Sequence, residues 1–366
     1  MQQEAREDLL ASLEAMGFDP ELSRHALVET RNRSLDAALD YLYKATTTTS
    51  SEPTTTSAQP TKNNNSSDEA GSSIPENATS LADFGYGYNE QGQLRHLETG
   101  EPFKFINQKH YEAMGEMIVR HIQERLIKDH GMEEIIVPIH EVSYEMPRSS
   151  IFVSKGALSS TSPVVILVHG SGNVRAGQWA RKPCFNDDLS IGSVLPYVER
   201  AHAKGMNVVV LNPNLNHGMV NGRKVDIEGN SSPEAHLLYV WDKFISSAPA
   251  EHLFFVSHSY GGIATINLIE HRDARLLKRL RALALTDSMH FFSHRGLSRR
   301  ALEWLATNCI DWVTSELPLD TAVNNGADCY CCSAGTLKHE HTSGTAVDSV
   351  FNFFDARLEI AMSQQH

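Results

Sequence analysis

The chain has 366 residues, 41% of them hydrophobic and 21% charged, which is enough for about two domains with a real core. Its formal net charge of −13 argues against broad binding to nucleic acid phosphates, and we expect no direct DNA binding. No basic segment followed by an apolar run opens the chain, and apolar stretches such as Val164 to Val168 are too short to span a bilayer. We therefore expect a soluble, intracellular protein without membrane contact.

The cysteines favour a reducing compartment, because there are five of them and they form no repeating framework. They are Cys184, Cys309, Cys329, Cys331 and Cys332. Although the last three stand close to His339 and His341, spacings of one and zero residues do not match the two-residue spacing of zinc-binding hairpins. We expect neither a metal ion nor any other cofactor.

Residues 1–45 have the pattern of three short helices. Asp19-Pro20 supplies an N-cap and a first-turn proline for the second helix, and Ser34 caps the third. The apolar residues of the third helix recur at helical spacing; they are Leu35, Ala38, Leu39 and Leu42. A bundle this small buries little surface, so its apolar loop residues need an explanation.

This segment resembles a ubiquitin-associated (UBA) domain. The resemblance lies in Met16-Gly17-Phe18 of the first loop and in the run Ala37-Ala38-Leu39-Asp40-Tyr41-Leu42 of the third helix. In that family these two regions form an apolar patch that packs against ubiquitin. The resemblance implies ubiquitin binding through Met16, Gly17, Phe18 and Leu42. The alternative is that these side chains close the core of the bundle.

Residues 46–82 are mostly threonine, serine, asparagine and proline, a composition that predicts a disordered linker. We expect a second domain over residues 83–362. It alternates apolar runs with helical patterns, and apolar runs without a polar face are typical of parallel strands covered on both sides. The predicted strands are Val164 to Val168, Val208 to Leu211, Leu253 to Val256 and Ala282 to Leu285, with Ile135 to Ile139 as a candidate opening strand. The helical patterns between them are Val194 to Lys204, Pro233 to Ser247 and Ile263 to Glu270.

The clearest local signal is a serine between a strand and a helix. The segment Phe254-Phe255-Val256-Ser257-His258-Ser259-Tyr260-Gly261-Gly262 has the form of a nucleophile elbow, in which small neighbours permit a strained turn that exposes the serine hydroxyl. Ser257 stands where the usual pattern has glycine, a mild departure because serine is also small. Ser259 is therefore the candidate nucleophile.

A second signal precedes it in the chain. His169-Gly170-Ser171-Gly172 directly follows the strand Val164 to Val168, where enzymes with such an elbow place a loop whose backbone N–H binds the oxyanion. The second donor is expected to be the N–H of Tyr260. Both motifs stand in the right strand context and order, which predicts an α/β-hydrolase-like parallel sheet domain preceded by the small UBA-like bundle and the linker.

A serine nucleophile needs an acid and a histidine after it in the chain. Asp287 follows the strand Ala282 to Leu285 and is the preferred acid, ahead of Asp320 and Asp328. His339 is the preferred base, because it stands in a loop before the last predicted helix, Val347 to Phe354; His341 and His290 are the alternatives. The competing interpretation is that Asp287 caps a strand and the histidines are solvated, since this fold is often reused without chemistry.

Further motifs identify a family. The chain from Phe84 to Phe354 resembles the Argonaute-binding protein two family of cotranscriptional regulators. The matching segments are Phe84-Gly85-Tyr86, His169-Gly170-Ser171-Gly172, Arg175-Ala176-Gly177-Gln178-Trp179, Leu211-Asn212-Pro213-Asn214, Ser232-Pro233-Glu234, Val240-Trp241-Asp242, His258-Ser259-Tyr260-Gly261-Gly262, Leu285-Thr286-Asp287-Ser288 and Ser333-Ala334-Gly335-Thr336.

The resemblance implies a scaffold or regulator in the nucleus and cytoplasm. It links the chain to Argonaute and small-RNA silencing, heterochromatin formation or alternative splicing, with Argonaute, chromatin or splicing proteins as partners. It leaves open whether the hydrolase-like site is active. The alternative is a working serine hydrolase that attacks an ester, thioester or amide through Ser259, Asp287 and His339.

Overall fold

The computed structural model describes Leu10, residues 20–30, Ala38, and residues 74–75, 78–139, 145–288, 296–324 and 329–364. The chain divides into two compact units, Met1–Ile74 with Ile106–His110, and Pro75–Phe105 with Tyr111–His366.

In the first unit the described helix is α1, Pro20–Glu29, in which Ala26 and Leu27 are fully buried. Pro20 begins this helix, as its fixed φ favours. The residues of the predicted ubiquitin patch, Met16, Gly17, Phe18 and Leu42, lie outside the described residues, as does most of the predicted linker.

Twelve strands occur within the described ranges. They are β1 Tyr86–Tyr88, β2 Leu94–His96, β3 Met132–Val137, β4 Ser149–Ser154, β5 Val164–Val168, β6 Asn207–Val210, β7 His217–Val220, β8 Arg223–Asp226, β9 Leu253–His258, β10 Leu280–Thr286, β11 Cys309–Val313 and β12 Tyr330–Ser333.

Nine further α-helices occur within the described ranges. They are α2 Gln108–Lys128, α3 Arg181–Asn186, α4 Leu189–Gly192, α5 Leu195–Ala203, α6 Pro233–Val240, α7 Tyr260–Leu276, α8 Arg299–Asn308, α9 Thr342–Thr345 and α10 Val347–Ser363. Short 3₁₀ turns occupy Leu81–Phe84 and His339–His341, and a π-helical turn, Trp241–Ile245, continues α6. No helix in the described part of the chain combines the length and the apolar character needed to cross a bilayer.

Eight strands form one sheet in the order β12-β11-β10-β9-β5-β6-β4-β3. The six strands from β12 to β6 are parallel, β4 pairs antiparallel with β6, and the edge strand β3 pairs antiparallel with β4. The chain passes from β5 to β6 on one side and returns to β9 on the other. Ligands bind at the carboxyl ends of the strands where the direction of winding reverses, which here is the end of β5 and β9.

Alternate residues of the central strands feed two separate cores. Val165, Leu167 and Val256 face α2, α5 and α10, whereas Ile166 and Phe255 face α6, α7 and α8. Every residue of β5 and β9 is buried, which explains why these strands have no polar face in the sequence. The prediction of an α/β-hydrolase-like sheet domain is confirmed.

The element bounds differ from the predictions where the sequence is polar or helical patterns merge. The helix predicted over Ile263 to Glu270 begins at Tyr260 and runs to Leu276, and β3 is displaced toward Met132. The sequence pattern missed β4, whose residues are half serine, and β11, which contains Asp311.

Arg279 fixes the segment that leads from the π-helical turn into β9. Its guanidinium donates to four carbonyl oxygens: Ala250 at 2.7 Å, Ala248 at 2.8 Å, Ile245 at 3.0 Å and Ser246 at 3.2 Å. The last carbonyls of a helix lack partners within the helix, and one arginine fork supplies donors to this group of carbonyls, of which that of Ile245 also accepts from the amide of Ala248.

We expect Arg279→Lys to lower the free energy of unfolding by about 2–4 kcal/mol, because an ammonium cannot reach the four carbonyls together. Urea denaturation of the full chain measures the change. The matched control is Arg275→Lys at an exposed position, which should stay within about 0.5 kcal/mol of the original chain. Equal losses in both variants would show that the carbonyl contacts of Arg279 do not matter.

Candidate active site

Ser259 lies at the sharp turn between β9 and α7. Its φ of 52° and ψ of −124° place a non-glycine residue in a strained backbone region. Its amide donates to the carbonyl oxygen of Thr286 at 3.1 Å, which ties the turn to the end of the neighbouring strand. Strain of this kind is held by the surrounding structure and is typical of nucleophile elbows.

Glycines bring the surrounding backbone close to this turn. A Cβ on Gly261 would lie 2.7 Å from the carbonyl oxygens of both Val168 and His169, so α7 approaches the end of β5 without room for any side chain. A Cβ on Gly170 would lie 2.8 Å from the Cβ of Ser259. The two motifs that the sequence singled out are therefore in direct contact.

Ser257, which replaces the usual glycine, has a hydrogen-bond partner for its extra hydroxyl. Its Oγ lies 2.8 Å from Oγ1 of Thr265, which in turn donates to the carbonyl oxygen of Gly261 at 2.9 Å. Because Thr265 uses its proton on Gly261, Ser257 is the donor in the first contact. The elbow accommodates the serine by pairing it, which avoids the cost of a buried unpaired hydroxyl.

Asp287 and His339 meet at the same edge of the sheet. His339 Nδ1 donates to Asp287 Oδ2 at 2.7 Å, and the amide of Thr314 donates to Asp287 Oδ1 at 3.0 Å. Asp287 has a φ of 50°, so its turn projects the carboxylate out of β10 toward the histidine. Both side chains are mostly buried, with 19% of Asp287 and 14% of His339 exposed.

The environment keeps Asp287 ionised. Burial raises the pKa of the Asp287 carboxyl, but the hydrogen bond and charge of His339 and the Thr314 amide lower it more, so the net shift is downward. A charged carboxylate on Nδ1 fixes the tautomer of His339 with Nε2 as the free basic nitrogen. This is the arrangement that a general base requires.

The alternative residues are engaged elsewhere or lie outside the described ranges. His341 contacts Asp187, with Nε2 at 3.1 Å from Oδ2. Asp320 accepts hydrogen bonds from Trp312 Nε1 at 2.8 Å and from Ser349 Oγ at 2.7 Å. His290 and Asp328 lie outside the described residues.

His258, next to Ser259, packs under the site. Its Nδ1 lies 2.9 Å from the carbonyl oxygen of Thr286, and its ring is 4.7 Å from that of His339. Burial, followed by the nearby His339, lowers the pKa of His258 to about 3, so this imidazole is neutral at pH 7. It supports the ring of His339 without adding a charge.

Ser259 and His339 are both described, and no hydrogen bond joins Ser259 Oγ to His339. Such bonds are often long in unliganded enzymes and shorten when substrate binds. The acid and the histidine are thus paired, while the final contact to the serine is open.

Two asparagines, for which the sequence analysis predicted no role in the site, hold the loop that contains Gly170. Asn214 Nδ2 donates to the carbonyl oxygens of Gly170 at 2.8 Å and Gly172 at 3.1 Å. Asn212 Oδ1 accepts from the amide of Ala176 at 3.0 Å. The Asn212-Pro213-Asn214 segment was visible in the sequence as a family motif, and the structure gives its physical reason.

Tyr260 is the first residue of α7 and directly follows Ser259. Its hydroxyl donates to Glu234 Oε1 at 2.7 Å, at the start of α6. Nothing in the sequence pointed to Thr314, whose amide donates to Asp287, because the strand before it was not predicted.

A cavity of about 880 Å³ lies apart from these residues, lined among others by Tyr88, His121, Asp129 and Glu199. None of its lining residues belongs to the Ser259 site. Within the described ranges no group of three or more histidine, cysteine, aspartate or glutamate side chains could hold a metal ion.

Comparison with known proteins identifies the family. A family model described as the Arb2 domain matches residues 77–218 and 215–319, and a UBA-like domain model matches residues 7–49. The chain belongs to the Arb2 domain family. It is 40% identical over 350 residues to the cotranscriptional regulator ARB2A homolog of Xenopus tropicalis, covering 80% of this chain and 82% of that protein.

Cotranscriptional regulator ARB2A of Homo sapiens is 38% identical over 353 residues, covering 81% of this chain and 84% of that protein. Among solved structures, a histone deacetylase from Saccharomyces cerevisiae matches the Arb2 chain with a TM-score of 0.46 and 15% identity. That match covers 68% of this chain and 99% of the other. The predicted resemblance to the Argonaute-binding protein two family and to a UBA domain is confirmed.

The lowered pKa of Asp287 predicts how the pair contributes to stability. Its pKa is lower in the folded than in the unfolded chain, so the stabilisation is present above about pH 4 and is lost as the pH falls further. We expect the difference in unfolding free energy between the original chain and Asp287→Asn to shrink from pH 4 toward pH 2, measured by urea denaturation.

The same comparison in a His339→Ala background is the control. Without the imidazole the pH dependence of the Asp287→Asn difference should be weaker, because the largest stabilising contact of the carboxylate is gone. A difference that grows as the pH falls would contradict the pairing.

Proposed function

We propose that this Arb2 domain carries a serine hydrolase site, with Ser259 as nucleophile, His339 as base and Asp287 as the group that orients it. The observation that supports this most is the 2.7 Å hydrogen bond from His339 to Asp287 beside the strained turn of Ser259. The chain order serine, acid, histidine, with the three residues on separate loops, supports these roles.

The reaction that suits these residues is acyl transfer from an ester, thioester or amide. His339 Nε2 takes the proton of Ser259 as Oγ attacks the carbonyl carbon, and the amides of Gly170 and Tyr260 stabilise the oxyanion. The leaving group departs with the proton from His339. Water, deprotonated by the same histidine, then releases the acyl group and restores Ser259.

We further propose that the chain acts as a scaffold or regulator through protein partners. The ARB2A relatives are named cotranscriptional regulators, which supports a regulatory role in the nucleus. The finer proposal is action in Argonaute-linked small-RNA silencing, heterochromatin formation or splicing control, in nucleus and cytoplasm. The UBA-like segment supports ubiquitin binding through Met16, Gly17, Phe18 and Leu42.

Labelling with a fluorophosphonate probe tests the hydrolase. We expect the purified full chain to be labelled at pH 7.5, and Ser259→Ala and His339→Ala to lose labelling, because an unactivated serine reacts too slowly. Asp287→Asn should label about 10³- to 10⁴-fold more slowly, as expected for a histidine held in the wrong tautomer.

Asp320→Asn is the matched control, since Asp320 contacts Trp312 and Ser349 rather than His339. Its labelling should equal that of the original chain. A folded chain that is not labelled would reject the hydrolase and leave the Arb2 domain as a binding scaffold.

Ubiquitin binding is tested by NMR titration of isotope-labelled ubiquitin with the full chain. We expect Phe18→Ala to weaken binding by about tenfold or more, because truncating a buried aromatic anchor typically costs over 1 kcal/mol. Phe105→Ala, an exposed phenylalanine outside the UBA-like segment, should bind as the original chain does. Absence of binding by the original chain would remove ubiquitin as a partner.

A further inference from the structure

Arg175 stands in the loop that joins β5 to α3, and its guanidinium forms no ion pair with a described carboxylate, although Glu116 acts on it at longer range. The guanidinium is half-buried, and its hydrogen bond is from Nη1 to the carbonyl oxygen of the preceding Val174 at 3.0 Å. Within the described part of the chain, no carboxylate lies within ion-pairing distance of it. Other arginines of this unit do have such partners; for example, Arg272 Nη2 lies 2.7 Å from Asp242 Oδ2.

The same loop contacts the catalytic serine. It begins with His169 and Gly170, and a Cβ on Gly170 would lie 2.8 Å from the Cβ of Ser259. The segment is held at both ends, because Asn214 binds the carbonyl of Gly170 and Asn212 binds the amide of Ala176. Arg175 thus belongs to the loop that contacts Ser259, and it stands one residue before an anchored amide.

The electrostatics agree with this position. Burial is the main cause that lowers the pKa of His169, and the charge of Arg175 adds to it, so the guanidinium lies within electrostatic reach of the histidine beside Gly170. The Arg175 pKa is lowered by burial first and then by Arg181, while Glu116 raises it. Arginine nevertheless stays charged at neutral pH.

The nearby Arg181 makes the environment of Arg175 less favourable, because it is also a cation. Its Nη2 donates to the carbonyl oxygens of Tyr111 at 2.7 Å and Glu112 at 3.2 Å. Glu116 acts favourably on Arg175, but a partly desolvated guanidinium near a second one remains unfavourable unless an anion binds it directly. A fork of N–H donors matches carboxylate and phosphate groups in particular.

We propose that Arg175 binds an anionic group, a carboxylate or a phosphate, on the acyl substrate of Ser259. This inference rests on the proposed hydrolase function for the identity of the ligand, and on the unpaired guanidinium for the binding site itself. It assigns the Arg175-Ala176-Gly177-Gln178-Trp179 segment a role in choosing substrate. Neutral esters and anionic esters should therefore be distinguished by this one side chain.

The kinetic test compares hydrolysis of p-nitrophenyl acetate with that of mono-p-nitrophenyl succinate by the full chain. We expect Arg175→Gln to lower the ratio of kcat/KM for succinate over acetate by about 10- to 100-fold, as loss of a charged hydrogen-bond partner implies. Arg175→Lys should retain part of the preference. Arg299→Gln, at a highly exposed arginine paired with Glu303, is the control and should leave the ratio unchanged.

A binding test separates this inference from the hydrolase proposal. Thermal unfolding of the full chain and of Ser259→Ala is followed in phosphate or in succinate, at matched ionic strength. We expect at least one of these anions to raise the midpoint, and Arg175→Gln to lose that increase; the more effective anion distinguishes phosphate from carboxylate. Arg175→Lys keeps the positive charge at this position, so it should retain part of the increase in the unfolding midpoint. A lower midpoint of Arg175→Gln in the absence of anion would indicate misfolding.

The outcomes are distinct. If the chain is not labelled by fluorophosphonate but Arg175→Gln abolishes anion stabilisation, the anion site stands and the hydrolase proposal falls. If Ser259 is labelled and Arg175→Gln changes neither the substrate ratio nor the anion stabilisation, the hydrolase stands and this inference is overturned.

Discussion

The site depends on the close approach of α7 to the end of β5. The first turn of the helix can lie against the carbonyl oxygens of Val168 and His169 only because Gly261 has no side chain. That contact fixes the strained turn of Ser259 beside Gly170 and places both at the point where the sheet reverses its winding. The other residues of the site are positioned relative to Ser259 and Gly170.

Asp287 and His339 are positioned by contacts of their own. Asp287 follows β10 and has a positive φ. The amide of Thr314, the residue after β11, donates to Oδ1 of Asp287, and Oδ2 accepts from His339. The carboxylate is therefore held toward His339. The neutral ring of His258 packs near that of His339. Rigid elements therefore position the pair before any ligand arrives, which is the usual basis of electrostatic preorganisation.

Much of this was predictable because its causes are local. Buried parallel strands show as continuous apolar runs, and an elbow needs small residues in consecutive positions, so β5, β9 and Ser259 could be read directly. Asp287 and His339 could be ranked from their place after a strand and before the last helix. Their contact joins residues 52 positions apart, and only the folded sheet determines it.

The features that escaped prediction depend on the tertiary structure. β4 and β11 contain Ser149, Ser150 and Asp311, polar residues that break the apolar pattern yet are buried by the sheet around them. Thr314 and Asn214 act through one or two hydrogen bonds to distant backbone or side chains, for which a sequence carries no periodic signal. Arg175 belonged to a visible motif, but only the folded structure shows that no described carboxylate forms an ion pair with it.

We propose that Ser259 is a nucleophile, that His339 is its base, and that the amides of Gly170 and Tyr260 bind the oxyanion. A crystal structure of the chain after reaction with a phosphonate tests all of these together. We predict phosphorus bonded to Ser259 Oγ, with the phosphonyl oxygen about 3 Å from both amide nitrogens. An unmodified Ser259 in a fully treated crystal, or an adduct whose oxygen points away from the two amides, would contradict it.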